Sequence, residues 1–144
     1  MVRIISLSPT FAVAPQLTAD DFAAVAAQGF KSVLCNRPDG EHPDQLSTAE
    51  CAKLAADAGL AFKALPLVMA IVLEPDTSAK TRAAVDALPA PVLAFCRSGT
   101  RSAMAWAATA CQTEPVETVI ASLKAADFEI PGLADELRAR AATA

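Results

Sequence analysis

The sequence predicts a single α/β domain built on a mostly parallel central sheet of four to five strands flanked by helices. Two neighbouring segments, 18–35 and 47–65, share one plan: a capped amphipathic helix, then a glycine, then an apolar strand. Further along, the continuous apolar run 92–95 suits a central strand that is buried on both faces. A chain of 144 residues with 53% hydrophobic side chains and no linker-like stretch is the usual size for one domain, so residues 1–144 are assigned to it.

The first of the two helices is predicted to begin at Thr18. Thr18 with Asp21 matches a capping box, and Phe22 opens the apolar stripe that faces the core. Gly29 supplies the left-handed residue that ends many helices, and the apolar strand 32–35 follows it.

The second helix repeats this arrangement. Ser47 with Glu50 forms the capping box, and Leu54 belongs to the inward-facing stripe. Gly59 then ends the helix before the strand 61–65. Because the same order of signals occurs twice, the sequence indicates alternating helices and strands rather than an all-helical fold.

The second half of the chain contains helices bounded by prolines. A helix from Asp76 or Thr77 to Leu88 is stopped by Pro89 and Pro91, and the strand 92–95 follows. Three further helices are predicted at 102–110, 115–126 and 131–142, the last two opened by Pro115 and Pro131.

The charge balance excludes several classes of partner. The formal net charge is −4, so no basic surface is available for nucleic acid or anionic lipid. No apolar span is long enough to cross a bilayer, and the start of the chain is too short an apolar run for a signal peptide. We therefore expect a cytoplasmic protein without a membrane partner. The sequence does not indicate its oligomeric state.

The four cysteines, Cys35, Cys51, Cys96 and Cys111, do not match a metal site or a disulfide framework. They form no C-x-x-C pair and only one histidine accompanies them. A chain this long and apolar also needs no disulfide staples. We expect no metal and no cofactor, so these thiols serve either core packing or chemistry.

The segment 92–102 combines a strand, a cysteine, a glycine-containing loop, an arginine and a helix. Loop amides, the start of the following helix and a guanidinium all favour an ionised sulfur, and the same groups bind an oxyanion in the manner of a P-loop. Cys96 is therefore predicted to be the nucleophile. Arg101 is predicted to bind sulfate-like or phosphate-like oxygens, and Ser102 is a candidate donor to the sulfur.

The residues between Cys96 and Arg101 are predicted to line this anion-binding loop. Gly99 permits the tight backbone turn, and Ser98 and Thr100 contribute to the ring around the substrate. The Arg97 side chain is expected to point to solvent while its backbone joins the ring, although a binding role for the side chain is an equal alternative. Arg37, in the loop after an earlier strand, is a candidate second contact for the anion.

Several separated motifs together resemble one known family. They are C-R-S-G-T-R-S at 96–102, N-R-P-D-G-E at 36–41, Q-L-T at 16–18 and L-P-L-V at 65–68. They resemble the DUF442 family, also described as the phosphatase-like domain of beta-lactamase-hydrolase-like proteins, over about residues 11–128. The resemblance implies the fold of cysteine-dependent dual-specificity phosphatases, with the reactive cysteine at a strand's carboxyl end. Some members of this family are called sulfurtransferases.

The length of the loop discriminates between two activities. Protein tyrosine and dual-specificity phosphatases place one more residue between cysteine and arginine than the four found here, 97–100, whose spacing is that of rhodanese-type enzymes. We therefore expect a sulfurtransferase that moves sulfane sulfur from thiosulfate or glutathione persulfide, through a Cys96 persulfide, to a thiol acceptor such as glutathione. A phosphatase acting through a phosphocysteine is the alternative, and a non-catalytic anion-binding or redox-sensing module is a further one.

The general acid is a second discriminator. Phosphatases need an aspartate to protonate the leaving alkoxide, typically just after the strand that ends here at Pro66. The stretch 67–73 contains no acid, and beyond Glu74 the side chain of Asp76 is expected to cap a helix. Sulfur transfer between thiols needs no acid, because the leaving group is already a weak base.

Cys35 ends a strand that is predicted to lie beside the Cys96 strand. The family resemblance places it where some phosphatases of this fold keep a second cysteine, which implies a Cys35–Cys96 disulfide under oxidation. A buried core thiol is the alternative.

Overall fold

A five-stranded sheet lies between two groups of helices in the computed structural model, which describes residues 2–143. The elements are β1 (Ile5–Ser8), β2 (Phe11–Ala14), α1 (Ala19–Ala27), β3 (Ser32–Cys35), α2 (Thr48–Asp57), β4 (Ala61–Ala64), a 3-10 turn (Met69–Ile71), α3 (Pro75–Ala87), β5 (Val92–Phe95), α4 (Thr100–Ala110), α5 (Val116–Ala125) and α6 (Leu133–Thr143).

The strand order is β1-β2-β5-β3-β4, and only the β1–β2 pair is antiparallel. The predicted α/β class with a mostly parallel sheet of four to five strands is confirmed. The central strand β5 is buried along its whole length and pairs with β2 and β3. Since β2, β3 and β5 are parallel, their carboxyl ends meet at one edge of the sheet, where loops of α/β proteins form binding sites.

Two strands at the start of the chain were absent from the sequence prediction. In β2, alanine occupies two of four positions, and alanine is depleted in strands. The strand exists because it pairs with β5 in register, from Phe11 opposite Val92 to Ala14 opposite Phe95. This tertiary pairing outweighs the weak local preference.

The two predicted capping boxes are both present. The Asp21 carboxylate accepts from the Thr18 backbone N–H at 2.8 Å. The Glu50 backbone N–H donates to the Ser47 hydroxyl at 3.1 Å, and the Glu50 carboxylate accepts from the Ser47 N–H at 3.0 Å. These local bonds satisfy N–H groups that the first turn of a helix leaves without partners.

Four helix starts differ from the prediction, and one of them is that of α5, which begins at Val116 and leaves Pro115 at the N-cap instead of in the first turn. Helix α3 begins at Pro75, so Asp76 lies inside the first turn rather than at the cap, and it pairs with Lys80 at 3.1 Å. Proline suits this first position because its missing N–H has no helical partner to lose. Helix α4 begins at Thr100, earlier than predicted, and α6 begins at Leu133, later than predicted.

Alternate residues of the central strands face two separate core clusters. Val33 and Leu93 point to the side covered by α1 and α2, where Phe22 is also buried. Leu34 and Ala94 point to the opposite side, which α3 to α6 cover. This two-sided burial explains why β5 is a continuous apolar run. Within residues 2–143, no helix combines the length and the hydrophobicity that crossing a bilayer requires.

Candidate active site

Cys96 follows β5 directly and is fully buried, at 0% exposure. Its sulfur accepts a hydrogen bond from the Gly99 backbone N–H at 3.1 Å. Gly99 has φ +91° and precedes the first residue of α4, so the turn brings the sulfur to the start of that helix. The partial positive charge of a helix N-terminus and an inward-pointing N–H both stabilise an anionic sulfur.

Arg101 lies in the first turn of α4 and is held from two sides. Its Nη1 donates to the Leu67 carbonyl at 2.8 Å and to one Glu41 oxygen at 2.7 Å, and its Nη2 donates to the other Glu41 oxygen at 2.8 Å. The hydrogen bond to Glu41 raises the pKa of Arg101, and contact with the Cys96 sulfur acts in the same direction. With its side chain only 11% exposed, this cation is directed to the site rather than to solvent.

Glu41 connects two arginines. Besides Arg101, it accepts from Arg37 Nε at 3.0 Å, and Arg37 Nη1 in turn donates to the Gln16 side-chain oxygen at 3.1 Å. Hydrogen bonding from Arg101, followed by that from Arg37, lowers the pKa of Glu41 from 4.5 to about 2. Glu41 is therefore ionised at neutral pH and orients Arg101 instead of carrying a proton.

The depressed pKa of Glu41 predicts an acid-sensitive contribution to stability. A carboxylate whose folded-state pKa lies below its ordinary value stabilises the fold above that ordinary value, here 4.5, and this contribution is lost as the pH falls towards about 2. We expect Glu41→Gln to lower the thermal unfolding midpoint at neutral pH, and the difference from the wild type to shrink across that acid range.

Glu117→Gln is the matched control for this prediction. Glu117 also accepts two bonds from one arginine, Arg138, each at 2.9 Å, but the pair is exposed. Solvent screens such pairs, so its effect at neutral pH should be much smaller. A Glu41→Gln deficit that stayed constant from neutral to acid pH would contradict the linkage.

Ser102 bonds to Asn36 instead of to sulfur. Its hydroxyl donates to the Asn36 side-chain oxygen at 2.8 Å, and the Asn36 amide donates to the Leu65 carbonyl at 3.0 Å. Both Ser102 and Asn36 are 1% exposed. The single hydroxyl proton is thus in use, so donation from Ser102 to the Cys96 sulfur would require this bond to break, and that role stays a prediction.

The other loop residues predicted to bind substrate lie at the surface or have partners within the chain. Arg97 is exposed, and its carbonyl accepts from the Gln16 backbone N–H at 3.2 Å. Ser98 donates to the Thr100 hydroxyl at 3.0 Å. Arg37 is 6% exposed and donates to Glu41 and Gln16. It therefore helps to hold Glu41, the carboxylate that binds Arg101. Direct contacts of these residues with an anion stay predictions.

The remaining cysteines lie in environments that oppose ionisation. Burial raises the pKa of Cys35, whose sulfur donates weakly to the Arg37 carbonyl at 3.6 Å. Burial also raises the pKa of Cys51 to about 12 and raises that of Cys111. Since the thiolate is the nucleophile, these three thiols are poor candidates for catalysis. The expected adjacency of the Cys35 and Cys96 strands is confirmed by the β3–β5 pairing, whereas a disulfide between them stays a prediction.

Sequence reasoning assigned no role to Glu41, Asn36, Gln16 or the Leu67 carbonyl. The first two follow β3, and β3 lies directly beside β5. The sequence signal for these two residues is their position: they are polar and follow the strand that lies beside the nucleophile's strand. Among residues 2–143, no group of three or more metal-ligating side chains converges on one point.

Comparisons with known proteins agree with this geometry. Residues 3–113 match the family described as "Beta-lactamase hydrolase-like protein, phosphatase-like domain". A Beta-lactamase hydrolase-like protein of Xylella fastidiosa is 34% identical over 106 residues, which cover 74% of this chain but 24% of that protein. A solved Neisseria meningitidis structure described as "a putative phosphatase" superposes with a TM-score of 0.81 at 30% identity, and the match covers 93% of this chain and 95% of that one. Human DUSP28, at 18% identity and a TM-score of 0.62 over 98% of this chain and 95% of its own, shares the fold.

Proposed function

We propose that this chain, which belongs to the phosphatase-like domain family of beta-lactamase hydrolase-like proteins, is a cysteine-based phosphatase whose nucleophile is Cys96. The observation that carries the proposal is the hydrogen bond from the Gly99 N–H to the Cys96 sulfur at the start of α4. Arg101, fixed by Glu41, supplies the positive charge that an anionic substrate requires. The chain spans about a quarter of the length of the curated relatives it matches, so this proposal concerns the domain alone.

The reaction follows from these positions in two steps. The Cys96 thiolate attacks phosphorus, the bond from phosphorus to the leaving oxygen breaks, and its electron pair departs on that oxygen. Water then attacks the phosphocysteine, releasing dihydrogen phosphate and restoring the thiolate. Of the Arg101 guanidinium N–H groups, three donate to Glu41 and Leu67, and those that remain are available to the sulfur and to the phosphoryl oxygens.

Substrate entry requires a movement at the rim of the loop. Cys96 has no exposed surface, so an incoming phosphoryl group reaches the sulfur only when neighbouring residues give way. Arg97 and Ser98 are the exposed residues of the loop and form its outer side.

Gly99 offers a test of the loop geometry. Alanine at φ +91° costs roughly 1 kcal/mol, and its Cβ would lie 3.5 Å from the Ala14 backbone and 3.6 Å from the Phe128 ring. We expect Gly99→Ala to lower phosphate release by roughly tenfold to a hundredfold, because the N–H that holds the sulfur shifts. Gly29→Ala is the matched control, with φ +99° and open space at its Cβ. Both variants should lose similar stability in urea, and equal activity of the two would contradict the assignment.

Sulfur transfer is the second candidate function. From the sequence alone it is the expected function, but the phosphatase-like family and the 30% identical Neisseria meningitidis structure support the phosphatase alternative better. The observation that still favours sulfur transfer is the four-residue interval between Cys96 and Arg101, together with the absence of an acid in the segment 67–73. In this reaction the thiolate attacks the outer sulfur of thiosulfate, sulfite leaves, and the Cys96 persulfide passes its sulfur to a thiol such as glutathione.

A paired assay separates the candidates. The wild type, Cys96→Ser and the control Cys111→Ser are each given an aryl phosphate in one arm and thiosulfate with glutathione in the other. Cys96-dependent phosphate release supports the proposal, and Cys96-dependent sulfite release alone supports the second candidate. Neither activity would indicate a non-catalytic anion-binding or redox-sensing module.

A further inference from the structure

The segment between β4 and α3 lies directly against the anion-binding guanidinium. The backbone carbonyl of Leu67, in this segment, accepts the Arg101 hydrogen bond at 2.8 Å. From Leu67 to Leu73 every side chain is aliphatic or methionine, so no side chain of residues 67–73 gives or takes a proton. The turn is anchored, because Val72 is fully buried and Ile71 packs against the core.

Two large apolar side chains of this segment remain in solvent. Val68 is 50% exposed and Met69 is 55% exposed, and among residues 2–143 these are the large hydrophobic side chains with the greatest exposure. Single exposed apolar residues are common on protein surfaces, but an adjacent exposed pair next to an anion-binding site suggests a function. We define Val68 and Met69 as the apolar wall of the site.

Three carboxylates on the loops and helix around the site have partners within the chain, whereas Glu74, which precedes α3, is exposed and makes no side-chain cap bond to that helix. Glu41 binds two arginines, and its pKa of about 2 keeps it ionised. One oxygen of Asp39 accepts from both the backbone N–H and the hydroxyl of Thr48, at 2.7 and 2.9 Å. Asp76 pairs with Lys80 on the exposed surface of α3. Glu41 is ionised, and Asp39 and Asp76 are engaged by Thr48 and Lys80, so none of the three can turn to a leaving oxygen without breaking contacts that the structure shows.

We infer that the site is specific for substrates whose leaving group departs unprotonated, as a weakly basic anion, and carries an apolar body that packs on Val68 and Met69. This inference rests on the proposed function and names its substrate class. In the phosphoryl step, the electron pair of the broken bond stays on the leaving oxygen, which enters water as a phenolate and takes its proton there. The wall contacts the apolar body while Arg101 and the loop amides hold the transferred group.

The same leaving-group chemistry applies if sulfur is transferred. Benzenethiosulfonate gives up its outer sulfur to the Cys96 thiolate, and the electron pair departs on benzenesulfinate, a weak base with an aromatic body. Thiosulfate loses sulfite, which has no apolar part. The wall therefore predicts a preference for benzenethiosulfonate over thiosulfate in that chemistry.

The wall has its own test in the double variant Val68→Thr with Met69→Gln, which keeps side-chain size while removing apolar surface. Acetyl phosphate serves as the reference substrate, because acetate is a weakly basic leaving group without an aromatic body. The ratio of kcat/KM for an aryl phosphate to that for acetyl phosphate should fall about tenfold in the variant. An unchanged ratio would overturn the role of the wall.

The leaving-group claim is tested with a series of aryl phosphates whose phenols differ in acidity. We expect kcat/KM to rise steeply with phenol acidity, and Glu74→Gln and Asp76→Asn to leave both slope and rate unchanged. If kcat/KM did not change with phenol acidity, or if Glu74→Gln lowered the rate, the inference would be overturned while the phosphatase proposal stands. No phosphate release from any ester, with benzenethiosulfonate preferred over thiosulfate, would overturn the phosphatase proposal while the inference stands. No turnover in either series would overturn both.

Discussion

Replacing Cys96 by serine should abolish phosphate release, lowering kcat by a factor of roughly 10⁴ or more. The serine hydroxyl fits the buried position but is not ionised by the Gly99 N–H and the start of α4, so no nucleophile forms. Steady-state release of inorganic phosphate from an aryl phosphate measures the effect. Because the change is nearly isosteric, the thermal unfolding midpoint should stay close to that of the wild type.

Cys111→Ser controls for the loss of a thiol as such. Cys111 lies at the end of α4, far along the helix from the loop, and burial raises its pKa. Its variant should retain the full rate. Activity that survived in Cys96→Ser but disappeared in Cys111→Ser would move the nucleophile away from the loop.

Replacing Arg101 by lysine should lower kcat/KM by roughly 10² to 10³. Lysine keeps the positive charge but loses the planar fork that engages both Glu41 oxygens and the Leu67 carbonyl. The lysine ammonium cannot bind Glu41 and the Leu67 carbonyl and contact the substrate at the same time. Initial rates across substrate concentration separate weaker binding from slower chemistry.

Arg138→Lys is the matched control for Arg101→Lys. Arg138 makes the same kind of paired bonds to Glu117, but on the exposed surface. Its replacement should leave kcat/KM within experimental error. If both variants kept the wild-type rate, Arg101 would have no part in holding the substrate.

Local signals made much of the fold predictable. The capping boxes at Thr18 and Ser47 involve residues three apart, so their consequences do not depend on tertiary structure. The apolar run of β5 reports burial on both faces directly. Strand β2 was not predicted, because its alanine-containing sequence forms a strand only through pairing with β5.

The same distinction between local and tertiary signals applies to the active site. Cys96, Gly99 and Arg101 are contiguous, so the loop chemistry follows from the order of residues. Glu41 lies 60 residues from Arg101 in the chain, and only the placement of β3 beside β5 brings the two side chains together. The bond between Ser102 and Asn36 spans 66 residues and likewise follows from sheet order. The predicted adjacency of the two strands indicates the region from which such partners come, but composition and spacing do not identify which side chains pair.

The identity of the covalent adduct on Cys96 is the most direct test of the central claim, that this sulfur is the nucleophile. The protein is mixed with an aryl phosphate, quenched in acid during turnover, digested and examined by mass spectrometry, with Cys96→Ser in parallel. We predict a phosphoryl group on the peptide that contains Cys96 and on no other cysteine peptide. Turnover accompanied by an adduct on Cys35, Cys51 or Cys111, or turnover that persists in Cys96→Ser, would contradict the account.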